Sequence, residues 1–479
     1  MPVRMLSAAQ LSALLPGSRL ATPVYATLAE QIRILMVDGR LVPDQRLPSE
    51  RELALRLSLS RTTVTAAYAR LREAGYLRAR RGAGNFVALP HGRSASGFVP
   101  GSLRTRENEI GWNCASGAAS AGLAAAYARA AERLPELLAG SGYLPDGLDD
   151  LRMRIAAWYV GRGLDTDPDQ IVVTTGALSA FIVVATTMLG RGDRLLLESP
   201  TYTNALEATR RAGLRPVGYP LPDDGWQPLE LGRTLDQTGS RALYLIPDHQ
   251  NPTGLSMDES TRLALAGELH LRRVTVIVDE TLVEMGFEGR RNTPFAALLP
   301  GAISLGSASK AFWGGLRVGW IRAPHSLVPR LVETRASLDL GTAPYEQLVL
   351  AELLRDPEPA LAAQRDRLRR QRDHLIELVA AALPDWSFER PAGGLSLWAR
   401  LPAPLSSRLA ELADGKGLVV TPGHRFFVDG GGERYLRLPY THTTDVLDEA
   451  VRRLADAWRS AQSSSTLLRR SGSGIDLSA

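Results

Sequence analysis

The stretch Ser304–Trp320, SLGSASKAFWGGLRVGW, contains Lys310, one of only two lysines in a chain of 479 residues that otherwise uses arginine. A lysine is expected to persist in such a chain where a primary amine is needed and a guanidinium cannot replace it. The other lysine, Lys416, stands in DGKG, which is typical of a surface turn. We therefore expect the fold to place Lys310 in a chemical site.

The neighbours of Lys310 suit a phosphorylated aldehyde. Arg317 can grip a phosphate with its planar fork, and Ser307 and Ser309 can add hydroxyl donors. A lysine amine forms a Schiff base with the aldehyde of pyridoxal 5′-phosphate (PLP). The stretch thus predicts PLP as the cofactor and Lys310 as the catalytic residue that binds it. The alternative is an ordinary turn of small residues with one exposed lysine.

The chain on both sides of this stretch alternates short β-branched runs with longer helical patterns from residue 111 to 460. Four such runs are Ile171–Thr174, Arg194–Glu198, Ala242–Ile246 and Thr275–Asp279. Strands that alternate with helices predict an α/β domain with a mainly parallel sheet.

Two turns that follow predicted strands carry further groups suited to PLP. The turn TTGALSA opens a helix, so the amides of Gly176, Ala177 and Leu178 can face a phosphate at the helix N-terminus. The turn PTY ends in Tyr202, whose ring can stack on the pyridine. An aromatic residue after a proline is otherwise more often simply packed.

Two polar residues complete the predicted cofactor site. Asn251 in PDHQNPTG can donate its amide to the phenolate oxygen of the ring. Asp279 ends the strand VTVIVD and can keep the pyridinium nitrogen protonated, which makes the ring an electron sink. A carboxylate at the end of a strand is otherwise often a helix cap.

Charge is unevenly distributed along the chain. Residues 1–90 hold 13 arginines and 6 acidic residues, a net +7, which leaves −2 for the remainder of a chain whose total is +5. A basic head on a near-neutral body predicts that the head binds a polyanion. The single cysteine, Cys114, excludes an intrachain disulfide and is a poor start for a metal site, so we expect no metal.

The hydrophobic content of 44% and the charged content of 22% are typical of a globular protein. No apolar run reaches the roughly 18 residues that a membrane span needs, and the first ten residues contain no apolar signal core. We therefore expect a cytoplasmic protein without a membrane partner.

The basic head has the pattern of a compact helical unit. A first helix is predicted from about Pro23 to Asp38, where Gly39 follows. Ser49 and Glu52 have the S-x-x-E spacing of a capping box that starts a second helix. Ser60 is expected to cap a third helix, and a hairpin follows it.

The segments LPSERELALRL and SRTTVTAAYARLREAGYL, with the hairpin that follows, closely resemble the winged helix-turn-helix of the GntR family over residues 22–88. The resemblance implies a homodimer that binds double-stranded promoter DNA at paired half-sites. The DNA contacts that it implies are those of Arg51, Ser60, Arg61, Thr62, Thr63, Arg81 and Gly82.

The order of Asn251, Asp279, Lys310 and Arg317 resembles fold-type I aminotransferases over residues 111–460. That resemblance implies a large, mainly parallel-sheet α/β part and a smaller C-terminal α+β part. It also implies that Tyr143, in GYLPDGLDD, reaches the phosphate of the neighbouring subunit. Near the end of the chain, in ERYLRLPY, it implies that Arg437 binds the carboxylate of an effector or substrate.

Taken together, the two halves resemble a MocR-type regulator, and the amino-acid sequence of the head most resembles that of the YczR-type branch. The expected domains are a DNA-binding head at 1–88, a flexible linker at 89–110, a PLP-binding domain at 111–461 and a disordered tail at 462–479. The resemblance implies a homodimer, and a head-to-tail arrangement of its two subunits is one form that it allows.

Three positions depart from the patterns of these families. Thr281 and Leu282 stand where aminotransferases usually have a tyrosine that bonds the phenolate oxygen. Asn251 stands where MocR-type proteins commonly have an aromatic residue. Asn204 stands where some amino-acid-sensing relatives have an arginine, so a second carboxylate clamp is unsupported.

Three functions follow from these patterns. The first is a DNA-binding regulator that senses PLP, or an amino compound that reacts with it, through the Schiff base at Lys310. The second is an aminotransferase with an accessory DNA-binding head, and residual transamination is compatible with the first. The third is a DNA-binding protein whose body serves only as a dimerisation scaffold.

Overall fold

The computed structural model of the protein describes residues 5–15, 23–37, 41, 45–80, 84–88, 108–288 and 292–470. Internal contacts group the chain into two compact units. The first comprises Met1–Glu109, Leu401–Leu436 and Arg453–Ala479, and the second comprises Ile110–Arg400 and Arg437–Arg452.

This grouping differs from the domain boundaries predicted from the sequence. Residues 401–436 and 453–479 fall outside the unit that holds the large sheet, although the sequence placed 111–461 in one domain. The difference arises because contacts in space do not follow the order of the chain. The predicted linker at 89–110 lies almost entirely outside the described residues.

The head begins with four helices and a hairpin, of which the last three helices and the hairpin are those that the sequence pattern predicted. The elements are α1 (Ala8–Leu14), α2 (Val24–Val37), α3 (Glu50–Leu57), α4 (Arg61–Glu73), β1 (Leu77–Arg80) and β2 (Gly84–Val87). The two strands pair in antiparallel register, with Leu77 opposite Val87. One face of α2 is buried, since Leu28, Ile32 and Leu35 are at most 3% exposed.

Local hydrogen bonds explain where the helices of the head begin. Ser49 and Glu52 form the predicted capping box, in which each side chain accepts from the backbone N–H of the other residue. Ser60 caps α4 by accepting from the N–H of Thr63. The Tyr68 hydroxyl donates to the carbonyl of Pro48 and so ties α4 to the start of α3. These caps fix the angle at which α4 leaves the turn before it.

A seven-stranded sheet forms the centre of the second unit. Its strands are β4 (Ile171–Thr174), β5 (Arg194–Ser199), β6 (Arg215–Pro220), β7 (Ala242–Leu245), β8 (Thr275–Asp279), β9 (Ile303–Ser307) and β10 (Gly319–Arg322), and the short strand β3 (Ile110–Gly111) precedes them in the chain. Their order in the sheet is β4-β10-β9-β8-β7-β5-β6, and β10 is antiparallel to both of its neighbours. The other described pairings in this sheet are parallel.

All four strands predicted from β-branched runs are present, with boundaries that differ by at most one residue. Their interior residues are buried on both faces of the sheet, as expected for parallel strands that are covered by helices. The helices of the second unit are α5 (Leu123–Arg133), α6 (Asp149–Val160), α7 (Ala177–Met188), α8 (Thr203–Arg211), α9 (Pro228–Thr238), α10 (Glu259–Leu271), α11 (Phe295–Leu298), α12 (Ala308–Ala311), α13 (Val328–Ala336), α14 (Pro344–Leu353) and α15 (Glu358–Ala382).

The rest of the chain adds β11 (Ser396–Arg400), α16 (Ser406–Asp414), β12 (Leu418–Val419), β13 (Thr421–Pro422), β14 (Tyr435–Pro439) and α17 (Thr444–Arg470). Helix α17 continues to Arg470 and so overlaps the segment from residue 462 for which the sequence predicted a disordered tail; that tail stays a prediction. Extending a helix that is already formed adds one hydrogen bond per residue without a new nucleation cost. Residues 471–479 lie outside the described part of the chain.

The carboxyl ends of the parallel strands define where a ligand is expected in such a sheet. Thr174, Ser199 and Asp279 end β4, β5 and β8, and Lys310 follows β9 by three residues. Among the helices that the structure describes, none is long and apolar enough to cross a membrane.

Candidate cofactor site and DNA-contacting face

Lys310 lies on α12, the short helix that follows β9. The hydroxyl of Ser307 caps this helix by accepting from the N–H of Ser309 at 3.1 Å. The Lys310 ammonium donates to the carbonyl of Ala115 at 2.8 Å. The side chain is therefore held toward the segment after β3. Sequence patterns do not indicate this contact, because its acceptor is a backbone oxygen.

Several charged groups surround Lys310. Burial lowers the pKa of the Lys310 ammonium, while the field of Cys114 opposes that shift. Arg437 and Arg317 lower the pKa further, and Asp279 raises it. Three residues that the sequence assigned to the site, Arg317, Asp279 and Arg437, therefore lie within electrostatic range of the Lys310 amine. A lysine with a lowered pKa is more often neutral and nucleophilic, as Schiff-base formation requires.

Asp279 is 5% exposed at the end of β8, and both of its carboxylate oxygens are engaged. The hydroxyl of Tyr244 donates to Oδ2 at 2.5 Å. The backbone N–H and the hydroxyl of Thr281 donate to Oδ1 at 2.9 and 2.6 Å. Tyr244 was not predicted as a site residue, because a strand pattern does not reveal which residue of the neighbouring strand meets a carboxylate.

A cradle for an anion forms where β4 meets α7. Gly176 has a φ of +97°, and α7 begins there without a side-chain cap. Arg317 crosses this turn and donates to the carbonyl of Thr175 at 3.1 Å and to the Ser309 hydroxyl at 3.4 Å. The amides of Ala177 and Leu178 stand in the first turn of this uncapped helix. Free amides at a helix N-terminus, with a guanidinium beside them, attract a phosphate.

Tyr202 and Asn204 lie together at the start of α8. The Asn204 amide donates to the Tyr202 hydroxyl at 3.0 Å. Burial raises the pKa of Tyr202, and Asp279 acts in the same direction. The tyrosine that the sequence assigned to ring stacking is thus near the predicted pyridinium partner.

Arg437 lies on β14 and is 7% exposed. Its guanidinium donates to the Asn251 side-chain oxygen at 3.2 Å and to the carbonyl of Asn113 at 2.6 Å. Burial lowers the pKa of Arg437 to about 10. The structure therefore brings together Asn251 and Arg437, which the sequence had assigned to two different tasks.

Tyr143 is 66% exposed, so its side chain is accessible to another molecule. The assignment of Tyr143 to the phosphate site of a neighbouring subunit stays a prediction.

The residues present fit PLP on structural grounds. A Cβ at Gly176 would stand 2.8 Å from a terminal nitrogen of the Arg317 guanidinium, so a side chain there would displace that cation. The same region offers a half-buried amine at Lys310 and a buried carboxylate at Asp279. An amine, an acid and an anion cradle are the three features that the aldehyde, the ring nitrogen and the phosphate of PLP require.

The predicted DNA-contacting residues of α3 and α4 lie on the surface of the head. Arg51, Arg61 and Thr62 are exposed, and Thr63 is half-buried. The Ser60 hydroxyl is within 2.7 Å of the hydroxyls of both threonines, in addition to its capping bond. The N-terminal turn of α4 therefore presents one cation and a fixed row of hydroxyls, which is suited to base edges in a major groove.

The wing residues Arg81 and Gly82 lie outside the described part of the chain. The hairpin strands next to them are described, and the Arg80 guanidinium stacks over the Phe86 ring at 4.4 Å.

Comparisons with known proteins agree with both halves of this description. Residues 121–454 match the family "Aminotransferase class I and II", and residues 24–87 match "Bacterial regulatory proteins, gntR family". The chain is 26% identical over 461 residues to the uncharacterized HTH-type transcriptional regulator YisV of Bacillus subtilis, with 90% of this chain and 94% of that protein covered. It is also 26% identical over 492 residues to the probable rhizopine catabolism regulatory protein MocR of Rhizobium meliloti, with 93% and 96% covered.

The fold is similar to that of LysN, an α-aminoadipate aminotransferase from Thermus thermophilus that was solved with N-(5′-phosphopyridoxyl)-L-leucine. The TM-score is 0.69 at 29% identity, over 76% of this chain and 98% of LysN. The YczR-type branch stays a prediction. The chain belongs to the aminotransferase class I and II family, whose membership implies pyridoxal 5′-phosphate as the cofactor, and it carries this domain behind a gntR-family head like that of MocR-type regulators.

Proposed function

We propose that this protein is a DNA-binding transcription regulator of the MocR type, which senses PLP or a PLP-reactive amino compound. The observation that carries the proposal is the presence of two candidate sites in one chain. The first turn of α4 presents exposed DNA-contacting residues, and the second unit surrounds Lys310 with the groups that PLP requires. A chain with only one of these sites would support only half of this function.

The residues of the second unit divide the work of holding the cofactor. In this proposal the Lys310 amine would hold the aldehyde end of the cofactor, and the Asp279 carboxylate would hold its ring nitrogen. Arg317, Ser307, Ser309 and the amides of Gly176, Ala177 and Leu178 hold the phosphate. Tyr202 stacks on the ring, and Asn251 donates to its phenolate oxygen. When bound, PLP supplies an aldehyde that condenses with amines and a ring that withdraws electrons.

The effector in this proposal is a compound with an amine and one carboxylate. The amine would replace Lys310 at the cofactor, and Arg437 would bind the carboxylate. Arg437 is already held by Asn251 and by the carbonyl of Asn113, so its fork is fixed before the effector arrives. Asn204 bonds Tyr202 and offers no second cation, which favours effectors with a single carboxylate.

A homodimer on paired half-sites is part of the proposal. Tyr143, Leu338 and Leu340 are exposed large residues, with exposed fractions of 66%, 52% and 51%. Their two segments pack together, since Arg335 donates to the carbonyl of Pro145 at 3.1 Å. Exposed apolar residues in one region are typical of an interface between protein chains.

The proposed subunit face is joined to the phosphate cradle. The Thr175 hydroxyl donates to Asp339 at 2.7 Å, and Thr175 also accepts from Arg317 through its carbonyl. A ligand in the cradle thereby has a route to the segment that holds Leu338 and Leu340. For such a ligand to regulate DNA binding, it must bind two arrangements of the dimer with different affinities.

A catalytic aminotransferase with an accessory head is the second candidate. The similarity to LysN and the presence of Asp279, Lys310 and Arg437 favour it. It predicts turnover of an amino donor with a 2-oxoacid at about 1 per second or faster. The regulator predicts turnover far slower than that, because only binding is required of it.

Two measurements on purified protein test the proposal. Added PLP should produce a visible absorbance band, and a DNase footprint should appear on DNA from upstream of the gene. A protein that gives the band and the footprint but also turns over at enzyme rates would support the second candidate. A protein that gives a footprint but no band would leave only a DNA-binding scaffold and would overturn the sensing function.

A further inference from the structure

The carboxylate of Asp279 is held by a pair of residues from two different elements. Aminotransferases usually place a tyrosine two or three residues after this aspartate, and Thr281 and Leu282 occupy those positions here. Tyr244 instead reaches Asp279 from β7, the strand that lies beside β8 in the sheet. This chain therefore has no tyrosine two or three residues after Asp279, but it has Tyr244, whose hydroxyl contacts the Asp279 carboxylate directly.

Tyr244 is fixed in its place. It is 1% exposed, and its ring packs edge to face against Phe181 with centroids 5.2 Å apart. Burial raises the pKa of Tyr244 well above its ordinary value, and the charge of Asp279 adds to the effect. The hydroxyl therefore keeps its proton at neutral pH and acts as a donor to the carboxylate.

The donors to Asp279 leave little room for further partners. The carboxylate accepts one hydrogen bond from Tyr244 and two from Thr281. An ionised carboxylate has about four acceptor positions, so about one remains for the N–H of a pyridinium ring.

We propose that Tyr244 and Thr281 are positioning residues that together aim the Asp279 carboxylate at the cofactor ring. The proposal rests on the proposed binding of PLP. Beyond that binding, the proposal assigns the control of charge at the ring nitrogen to Tyr244 and Thr281, which act through Asp279 and do not hold the cofactor themselves.

The expected signature is the pH midpoint at which the visible band of the bound cofactor changes. Without the Tyr244 hydroxyl, the charge of the Asp279 carboxylate is shared with one donor fewer and compensates more of the positive charge at the ring nitrogen. A less positive ring lets the linkage to Lys310 keep its proton to higher pH. The midpoint should therefore rise in Tyr244→Phe by about half a pH unit or more, and the Kd for PLP should increase about tenfold.

Other titratable groups face this site from neighbouring elements: Glu198 on β5, Tyr202 before α8, Lys310 on α12 and Arg437 on β14. They are unchanged in Tyr244→Phe, so a difference from the wild type reports the lost hydroxyl. Tyr219→Phe is the matched control, because Tyr219 is 2% exposed and its hydroxyl bonds to Gln227 instead of Asp279.

Thr281→Val is a second, independent variant. It removes one donor to Oδ1 but keeps the backbone donor, so it should raise the midpoint in the same direction by a smaller amount. If Tyr244→Phe does not fold, this variant alone decides the matter. An unchanged midpoint in the folded variants, or an equal shift in Tyr219→Phe, overturns the proposal. A wild-type protein without a visible band would instead refute the proposed function.

Discussion

Gly176 and Arg317 are so close that a side chain at position 176 would displace the guanidinium. A Cβ there would stand 2.8 Å from a terminal nitrogen of Arg317, and the residue has a φ of +97°. The glycine is therefore needed for two separate reasons, the backbone conformation and the position of the guanidinium. Only the second reason concerns the phosphate.

Gly176→Ala separates these two reasons when it is compared with Gly192→Ala. Gly192 has a φ of +91°, but a Cβ there meets no atom within 4 Å. Both variants should lose about 1–2 kcal/mol of unfolding free energy, because an L-residue is strained at positive φ. Gly176→Ala should in addition bind PLP at least about tenfold more weakly, since a displaced cation weakens a phosphate contact.

Absorbance titration with PLP and thermal unfolding measure the two effects. Equal PLP affinities in the two glycine variants would show that Arg317 does not depend on the bare backbone of the cradle.

The two lysines provide a direct test of the attachment point. Lys310→Ala should abolish the visible band and the retention of cofactor after borohydride reduction, because it removes the amine that forms the Schiff base. Lys416→Ala should behave like the wild type, since Lys416 is exposed and lies in the other unit. Mass spectrometry of the reduced protein locates the modified peptide, and labelling of Lys310→Ala at the wild-type level would contradict the assignment.

Arg61 is the exposed cation at the first turn of α4. Its removal in Arg61→Ala should weaken binding to the specific DNA by about 1–3 kcal/mol, roughly 5- to 150-fold, because base contacts of arginine have this value. Arg233→Ala is a matched control, since Arg233 is 64% exposed on the second unit. Fluorescence anisotropy with labelled DNA measures both, and equal losses would show a general charge effect.

Glu198 should make stability depend on pH. It is fully buried and accepts from the Trp226 indole at 2.7 Å and from the Gln250 amide at 3.2 Å. Burial raises the pKa of Glu198 to about 8. Between its ordinary value and pH 8 the native state keeps a proton that the unfolded chain has lost, so the free energy of unfolding falls as pH rises.

Glu198→Gln removes this titration. The unfolding free energy of the variant relative to wild type should therefore grow between pH 5 and pH 8, by an amount on the order of 3 kcal/mol. Mispairing of the new amide would add an offset that is constant with pH and leaves this trend intact. Denaturant unfolding across the pH range measures it, with Glu230→Gln, at an exposed carboxylate, as the control. A difference that is flat with pH would show that Glu198 is ionised throughout.

Local signals predicted much of the fold. The capping box at Ser49 and Glu52 and the cap at Ser60 were visible because they depend on residues three positions apart. The strands before Tyr202 and Asp279 were visible because each contains a short run of apolar residues, leucines in β5 and valines with an isoleucine in β8. The extent of α17 was missed because serine-rich composition favours disorder, whereas a helix already formed extends at little cost.

The parts of the site that were missed depend on contacts between distant segments. Tyr244 meets Asp279 across neighbouring strands, 35 residues apart in the chain. The partners of Lys310 and Arg437 in the segment after β3 are backbone carbonyls, which every residue type possesses. No pattern of residue types identifies such partners, and only the three-dimensional arrangement does.

The most direct test of the regulator is the Kd for upstream DNA, measured for wild type and for Lys310→Ala with and without PLP. We predict that saturating PLP changes the wild-type Kd at least about fivefold, the lower end of typical coupling between two sites, and leaves that of Lys310→Ala unchanged. A wild-type protein that binds both PLP and DNA, with the same Kd for DNA in either condition, would contradict the proposed regulation.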